Sequence, residues 1–98
     1  EVEKVSSDNP ELISRILAKR GCNRVLWECG PRLATAAIKS NCIQEIITFI
    51  APKILGGENS MNPLSDFEFR EMHEIFQLSD SQFSLIGNDI CVKSSFKN

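Results

Sequence analysis

The residues with the clearest chemical potential lie between positions 24 and 36, where a carboxylate, a glycine and a proline follow one another closely. Glu28 ends a short apolar run, and Gly30 and Pro31 come directly after it. A proline fits the first position of a helix because its missing N–H costs nothing there. A helix that starts after the carboxyl end of a strand presents free N–H groups and the positive end of its dipole. The spacing therefore predicts a seat for a phosphate group, with Glu28 facing the same crevice.

Each of these residues also has a purely structural interpretation. A glycine before a helix permits a close turn that a side chain would obstruct. A carboxylate at the end of an apolar strand needs solvent, a partner or a ligand, and the candidate ion-pair partners of Glu28 are Arg24, Arg32 and Lys53. Arg32 is unfavourable in a first helical turn, so it either holds a phosphate or stays solvated at the surface.

An amphipathic helix is predicted at residues 10–20. Asp8 or Asn9 can cap its start, because both side chains accept hydrogen bonds from the N–H groups of a first turn. Gly21 can adopt the left-handed conformation that ends a helix. Apolar residues recur between these ends at helical spacing, at Leu12, Ile13, Ile16 and Leu17.

The predicted fold class is α/β, with a mostly parallel sheet, flanking helices and a carboxyl-terminal antiparallel hairpin. Residues 24–28 and 43–51 are apolar strands on either side of a helix that runs from Pro31 to about residue 40. A strand, a helix and a strand in this order form a right-handed crossover, so the two strands are expected to be parallel. Both are apolar enough to be interior strands of a covered sheet.

The second half of the chain predicts a long loop followed by a hairpin. Pro52 ends the second strand, and residues 53–63 are the most loop-like stretch of the sequence. The hairpin is predicted at residues 76–86 and 89–96, joined by the tight-turn sequence Gly87-Asn88.

Composition excludes several classes of function. The chain has 98 residues, which predicts one domain, and its net charge of -2 offers no basic footprint for nucleic acid. Its apolar runs are too short to span a membrane. Four cysteines with no C-x-x-C pair and a single histidine, His73, predict no metal site. The cysteines are expected to be buried free thiols in a cytoplasmic protein.

Four segments form a recognisable series along the chain. They are Trp27-Glu28-Cys29-Gly30-Pro31-Arg32-Leu33-Ala34, Ile43-Gln44-Glu45-Ile46-Ile47, Ile50-Ala51-Pro52-Lys53-Ile54-Leu55-Gly56-Gly57 and Ile86-Gly87-Asn88-Asp89-Ile90. In this order they resemble the reductase domain of bifunctional riboflavin-biosynthesis proteins, which is similar in fold to dihydrofolate reductase. The resemblance covers nearly the whole chain from Asn9 onward, and the combination is specific although no single segment is.

The resemblance implies an NADPH-dependent reduction of 5-amino-6-(5-phosphoribosylamino)uracil, a phosphorylated pyrimidine ribosylamine, to its ribitylamino form. The ribose opens, and its C1 takes the hydride. By position, Glu28 matches the family's substrate-contacting glutamate. The turn and helix start that hold the NADPH phosphates match Gly30, Pro31, Arg32, Leu33, Ala34, Thr35 and Ala36. The protein positions cofactor and substrate, while the nicotinamide supplies the chemistry.

Two features depart from the family's pattern. Cys29 stands where many members have glycine, and a cysteine is small enough to be tolerated. The family's domain is also much longer than this chain, and nothing in the sequence matches its amino-terminal half or the zinc-binding deaminase domain often fused upstream. Residues 1–98 are therefore expected to be a single partial domain, the carboxyl-terminal portion of the reductase domain, with a native start upstream.

Two other interpretations compete with a riboflavin-pathway reductase. The first is a non-catalytic α/β oligomerisation fragment, which the missing half of the expected site favours. The second is a dihydrofolate-reductase-type NADPH enzyme, which fits the Glu-x-Gly-Pro and Ala-Pro-Lys elements less well. A homodimer is expected both for the riboflavin-pathway reductase and for the non-catalytic fragment. In both, the apolar strands leave edges that invite pairing with a second chain.

Overall fold

The structure, a computed structural model, describes Val2, Lys4, Val5 and residues 8–97. In chain order its elements are α1 (Pro10–Lys19), α2 (Pro31–Lys39), β1 (Glu45–Ile50), a 3₁₀ turn (Met72–Glu74), β2 (Leu78–Ile86) and β3 (Asp89–Phe96). These elements form two compact units. The helical unit contains α1, α2 and the segment Asn62–Phe67, and the sheet unit contains the strands and the 3₁₀ turn.

Helix α1 begins and ends on local signals. The Asn9 side chain accepts hydrogen bonds from the N–H groups of Glu11 and Leu12, at 3.0 and 3.3 Å. At the other end Gly21 has a φ of 86°, and the N–H of Cys22 bonds back to the carbonyl of Leu17 at 3.1 Å. This is the pairing of a glycine-closed helix end, so the predicted helix at residues 10–20 is confirmed.

Helix α2 ends in the same way with a different residue. Asn41 takes the left-handed position with a φ of 60°, and the N–H of Cys42 bonds to the carbonyl of Ala37 at 3.0 Å. Its inward face is the best-buried surface of the helical unit, because Ala37 is 0% exposed and Ile38 is 7% exposed. The helix predicted from Pro31 to about residue 40 is confirmed, and it contacts α1.

The strand predicted at residues 24–28 is not formed. These residues have no regular secondary structure, and Val25 and Leu26 are 41% and 80% exposed. A strand exists only where a neighbouring strand provides its ladder of hydrogen bonds. The described ladders join β1, β2 and β3 to one another, and they include none of residues 24–28.

The sheet is antiparallel throughout the described part of the chain, with the strand order β1-β3-β2. β1 pairs with β3 from Glu45 opposite Ser95 to Ile50 opposite Ile90. The mostly parallel sheet predicted from the sequence is therefore not formed by these strands. The parallel prediction required a strand at residues 24–28, and β1 pairs instead with a strand roughly forty residues later in the chain.

The hairpin of β2 and β3 confirms its prediction closely. Gly87 and Asn88 form its two-residue turn, between Ile86 and its register partner Asp89. Gly87 has a φ of 61°, the conformation that a glycine at the first position of a tight hairpin turn adopts without strain. The register is interrupted once, between Ser79 and Gln82.

Apolar side chains of the sheet are widely exposed. β1 lies at an edge of the described three-stranded sheet, so its predicted interior position is not confirmed, and Phe49 is 59% exposed. Phe83 and Leu85 of β2 are 73% and 76% exposed. β1 and β2 were both predicted from their apolar residues. Apolar content indicates that a segment forms a strand, but it does not show which other part of the protein covers that strand.

The cysteines are less buried than the sequence predicted. All four cysteines are free, but Cys22 and Cys29 are exposed, while Cys42 and Cys91 are half-buried, so the expectation of buried thiols is not met.

Within the described residues, no three His, Cys, Asp or Glu side chains are grouped as a metal ion would require. No helix in that part of the chain has the length and apolar character needed to cross a membrane.

Candidate functional site

The start of α2 has no side chain to cap it. Gly30 is its N-cap residue, in an extended conformation with φ −69° and ψ 170°, and no side-chain hydrogen bond is made there. The first intrahelical bond runs from the N–H of Ala34 to the carbonyl of Gly30, at 3.1 Å. The N–H groups of Arg32 and Leu33 are therefore left for solvent or a ligand.

Helix α1 provides an internal comparison, because both helices have proline at the first position. In α1, Asn9 accepts two N–H groups, and Glu11 adds a negative charge to the first turn. In α2 the cap is Gly30 and the first turn has no acidic residue. The start of α2 thus keeps both its free donors and its positive dipole end, the two properties that bind anions.

The space beside Gly30 is open. A Cβ built on Gly30 meets no atom within 4 Å, and its φ is not in the left-handed region. The expectation that a side chain would obstruct this turn is therefore not met within the described residues. Neither the backbone conformation nor the chain's own packing requires a glycine there, which leaves room for a ligand to approach the backbone.

Glu28 lies two residues before Gly30 and is exposed. Its carboxylate forms no ion pair within the described residues of the helical unit, so the salt-bridge interpretation with Arg24 or Arg32 is not supported there. Arg32 is also exposed. The structure brings a carboxylate, an uncapped helix start and an arginine together over five consecutive residues.

The remaining predicted cofactor residues lie further along α2. Leu33, Ala34 and Ala36 are half-buried. Thr35 is only 5% exposed, and its Oγ1 accepts a hydrogen bond from the N–H of Ser65 at 2.8 Å. The hydroxyl of Thr35 is thus engaged by the chain itself, which separates this residue from the open end of the helix.

Sequence reasoning missed the segment that Thr35 holds. Residues Asn62–Phe67 belong to the helical unit although the stretches on both sides belong to the sheet unit. The sequence there has only the character of a loop, and no periodicity or spacing relates Ser65 to Thr35. No sequence signal could have identified this contact.

Comparison with known proteins assigns the chain to a family. The sequence profile of the RibD C-terminal domain matches residues 5–92, a range that contains the whole of the site. The chain belongs to the RibD C-terminal domain family. The resemblance drawn from the sequence is thereby confirmed.

Named relatives agree with this assignment. The Arabidopsis thaliana riboflavin biosynthesis protein PYRR, chloroplastic, is 38% identical over 93 residues, which are 93% of this chain and 16% of that protein. The Synechocystis riboflavin biosynthesis protein RibD is 38% identical over 80 residues, which are 82% of this chain and 22% of that protein. The chain thus spans about a fifth of the length of these relatives of the RibD C-terminal domain family.

A solved structure shares the fold. Acinetobacter baumannii RibD (form 1) superposes with a TM-score of 0.70 and 23% sequence identity, over 100% of this chain and 26% of that one. Two helices and a small antiparallel sheet are therefore the α/β arrangement of this part of a RibD protein.

Proposed function

We propose that this chain is the carboxyl-terminal part of an NADPH-dependent reductase. Its substrate is 5-amino-6-(5-phosphoribosylamino)uracil, which is reduced to the ribitylamino form in riboflavin biosynthesis. Membership of the RibD C-terminal domain family and the names of the relatives support this pathway. The observation that carries the cofactor assignment is the uncapped start of α2 beside the open space at Gly30.

The start of α2 suits the phosphate groups of NADPH. The N–H groups of Arg32 and Leu33 donate hydrogen bonds to a phosphate, and the helix dipole adds a partial positive charge. Because Gly30 has no side chain, a phosphate can approach the backbone closely. The Arg32 guanidinium is exposed beside these donors and adds a full positive charge. When bound, NADPH supplies the hydride.

Glu28 suits the sugar part of the substrate. An exposed carboxylate with no ion pair in the described helical unit accepts hydrogen bonds from ribose hydroxyl or amino groups. A hydrogen bond to a charged group contributes on the order of 1.5–3 kcal/mol, which is enough to orient the ribose. In this proposal Glu28 binds substrate, while the residues from Gly30 to Ala36 belong to the cofactor side of the site.

The remaining expectations are part of the same proposal. We infer a dihydrofolate-reductase-like domain in which residues 24–28 join a sheet completed by residues outside this chain. We also infer a cytoplasmic homodimer that binds no nucleic acid or membrane. The exposed apolar residues of β1 and β2 support assembly with further protein, because exposed apolar edges pair readily.

A non-catalytic fragment is the second candidate function. The exposure of Phe49, Phe83 and Leu85 favours it, since a surface this apolar indicates contact with other protein rather than a finished enzyme. In that case the chain assembles with a partner but binds no cofactor.

Cofactor binding separates the two candidates. Trp27 is the chain's single tryptophan, three residues before Gly30, and the reduced nicotinamide absorbs where tryptophan emits. NADPH is expected to quench Trp27 emission in the 98-residue chain, and NADH, which lacks the extra phosphate, to quench it less. Gly30→Val is expected to weaken NADPH binding about tenfold or more by blocking the phosphate, with an unchanged far-UV spectrum because the space is open.

Activity is measured in a chimaera in which this chain replaces the matching segment of Synechocystis RibD. The chimaera is expected to oxidise NADPH only when the pyrimidine substrate is present, and Gly30→Ala is expected to have a smaller effect than Gly30→Val. Unchanged NADPH affinity in a well-folded Gly30→Val protein would remove this turn from the cofactor site. A folded chimaera without substrate-dependent oxidation would favour the non-catalytic fragment.

A further inference from the structure

The segment Asn62–Phe67, called here the α2 strap, leaves the sheet unit and returns to it. Its six residues belong to the helical unit, while Ile43–Met61 before it and the described residues from Glu68 onward belong to the sheet unit. Glu68, the first residue after the strap, has a φ of 61°, which is uncommon for a residue other than glycine. The backbone thus has a left-handed conformation at the residue where the chain passes from the strap to the sheet unit.

A hydrogen bond and a cation–π contact join the strap to α2. The N–H of Ser65 donates to Thr35 Oγ1 at 2.8 Å, and the Lys39 ammonium lies 5.7 Å from the centre of the Phe67 ring. The two helical positions are four residues apart, and the two strap positions are two residues apart. Four helical residues rise about 6 Å and two extended residues about 6.6 Å, so the two contacts match in spacing and the strap runs along the helix.

The strap lies on the helix face that leads to the proposed cofactor seat. Residues three and four apart are neighbours on a helix surface, so Thr35 lies directly below Pro31 and Arg32. Thr35 and Lys39, which lie on one stripe of the helix with Pro31, are the residues of this face that the strap contacts. A clamp at Thr35 restrains the turn of α2 next to the free N–H groups.

Thr35 is an unusual choice for packing alone. The helix is rich in alanine, the strongest helix former, whereas threonine is a weaker one. A buried hydroxyl also needs a hydrogen-bond partner, and Thr35 finds it in a segment thirty residues later. The hydroxyl is therefore best explained by the strap that it holds.

We propose that Thr35 is a positioning residue for the NADPH site. It acts through the α2 strap, which restrains the first turn of α2 so that its N–H groups stay aimed at the cofactor phosphate. The inference rests on the proposed function and changes the role of Thr35 from a phosphate contact to a clamp.

The test compares Thr35→Val, which keeps the shape and removes the hydroxyl, with Thr35→Ser, which keeps the hydroxyl. In the chimaera, Thr35→Val is expected to raise the KM for NADPH about threefold to tenfold, the range that loss of one neutral hydrogen bond allows. The value of kcat is expected to stay within about twofold. Thr35→Ser is expected to restore the wild-type KM. Hydrogen exchange at the Ser65 amide should accelerate in Thr35→Val alone.

A second variant removes the same hydrogen bond from the other side. Ser65→Pro has no N–H to donate and leaves α2 untouched, so it is expected to raise the KM for NADPH as Thr35→Val does. The double variant should be no worse than either single one, because the two changes remove one interaction. If Thr35→Val fails to fold, Ser65→Pro decides alone.

The outcomes separate this inference from the proposed function. Faster exchange at Ser65 with an unchanged KM for NADPH would show a strap that does not position the site, and the inference would be wrong while the reductase assignment stands. Equal loss in Thr35→Val and Thr35→Ser would also overturn it. An unmodified chimaera that neither binds nor oxidises NADPH would overturn the reductase proposal and this inference together.

Discussion

The helical unit and the sheet unit achieve order in different ways. In the helical unit the start of α1 and the carboxyl ends of both helices are closed by residues next to them, and Thr35, Ala37 and Ile38 are buried. In the described part of the sheet unit, Ser94 is the one buried residue, at 3% exposure, and its hydroxyl lies 2.7 Å from that of Ser81. The helices carry a small core of their own, whereas the sheet has well-formed ladders but little buried apolar surface.

This difference separates hydrogen bonding from burial. The ladders of β3 with β1 and β2 satisfy backbone groups, yet a single hydrogen bond contributes only about 1 kcal/mol net. Burial of an apolar side chain contributes about 1.5–3 kcal/mol. Phe83 and Leu85 gain little of this stabilisation, because both side chains are mostly exposed. The sheet unit is thus expected to depend on its pairing pattern, and the helical unit on its packing.

The largest expected effect comes from truncation after Ile86, which removes β3. Since β3 lies between β1 and β2, every described ladder contact of the sheet is lost. The truncated chain is expected to aggregate or unfold, as judged by sedimentation and far-UV circular dichroism. Truncation after Lys97, which leaves β3 whole, is the control. A soluble truncated chain with a cooperative thermal transition would show that the helical unit folds independently of the sheet.

Matched alanine substitutions in the two units come next. Ile38→Ala removes a buried side chain of α2 and is expected to lower the free energy of unfolding by about 2–4 kcal/mol. Leu85→Ala changes a side chain that is 76% exposed, and is expected to cost less than about 0.5 kcal/mol. Chemical denaturation measures both. A comparable loss for Leu85→Ala would mean that another protein surface covers β2 in solution.

Glu28→Gln tests the site without altering either unit. In the chimaera it is expected to lower kcat/KM for the pyrimidine substrate. The expected loss of transition-state stabilisation is about 1.5–3 kcal/mol, the contribution of one hydrogen bond to a charged group. The affinity for NADPH should stay nearly unchanged, since the cofactor contacts begin at Gly30. Glu28→Asp, which keeps the charge, is the control. Wild-type kinetics for Glu28→Gln would leave that carboxylate without a role in substrate binding.

Apart from the exposed-site substitution Leu85→Ala, the smallest effect is expected at the cap of α1. Asn9→Ala leaves two N–H groups without an acceptor and is expected to cost about 1 kcal/mol of stability. Asn9→Ser keeps an acceptor and should cost much less. Thermal unfolding followed at a helical wavelength would measure the difference. An unchanged transition in Asn9→Ala would show that water replaces this cap fully, and that the contrast with the uncapped α2 has no energetic basis.

The helix ends could be predicted from the sequence because their signals are local. Asn9, Pro10 and Gly21 act on groups within a few residues, so α1 and α2 were predicted to within about a residue. The hairpin was predictable for the same reason, since Gly87 and Asn88 determine its turn. The pairing partner of β1 could not be predicted in this way, because an apolar strand pattern specifies neither the neighbouring strand nor its direction.

The site was predicted in part. Gly30 precedes α2 as predicted and is its N-cap residue, whereas the strand that was to carry Glu28 is not formed, and the binding roles of both residues stay predictions. The burial of Thr35 was not predictable, because it depends on Ser65 in a loop without a pattern. The failure of residues 24–28 to form a strand has a related cause, as a strand needs partners that its own sequence does not encode.

The central position of β3 has a consequence for synthesis on the ribosome. β3 follows both of its neighbours in sequence. β1 and β2 therefore cannot form the described ladders until β3 has been synthesised. The signals that start and end α1 and α2 lie in neighbouring residues, so these helices can begin to form while translation continues. During that wait Ile47 and Phe49 of β1 are exposed with no strand beside them, which makes the nascent chain most vulnerable to misassociation just before β3 emerges.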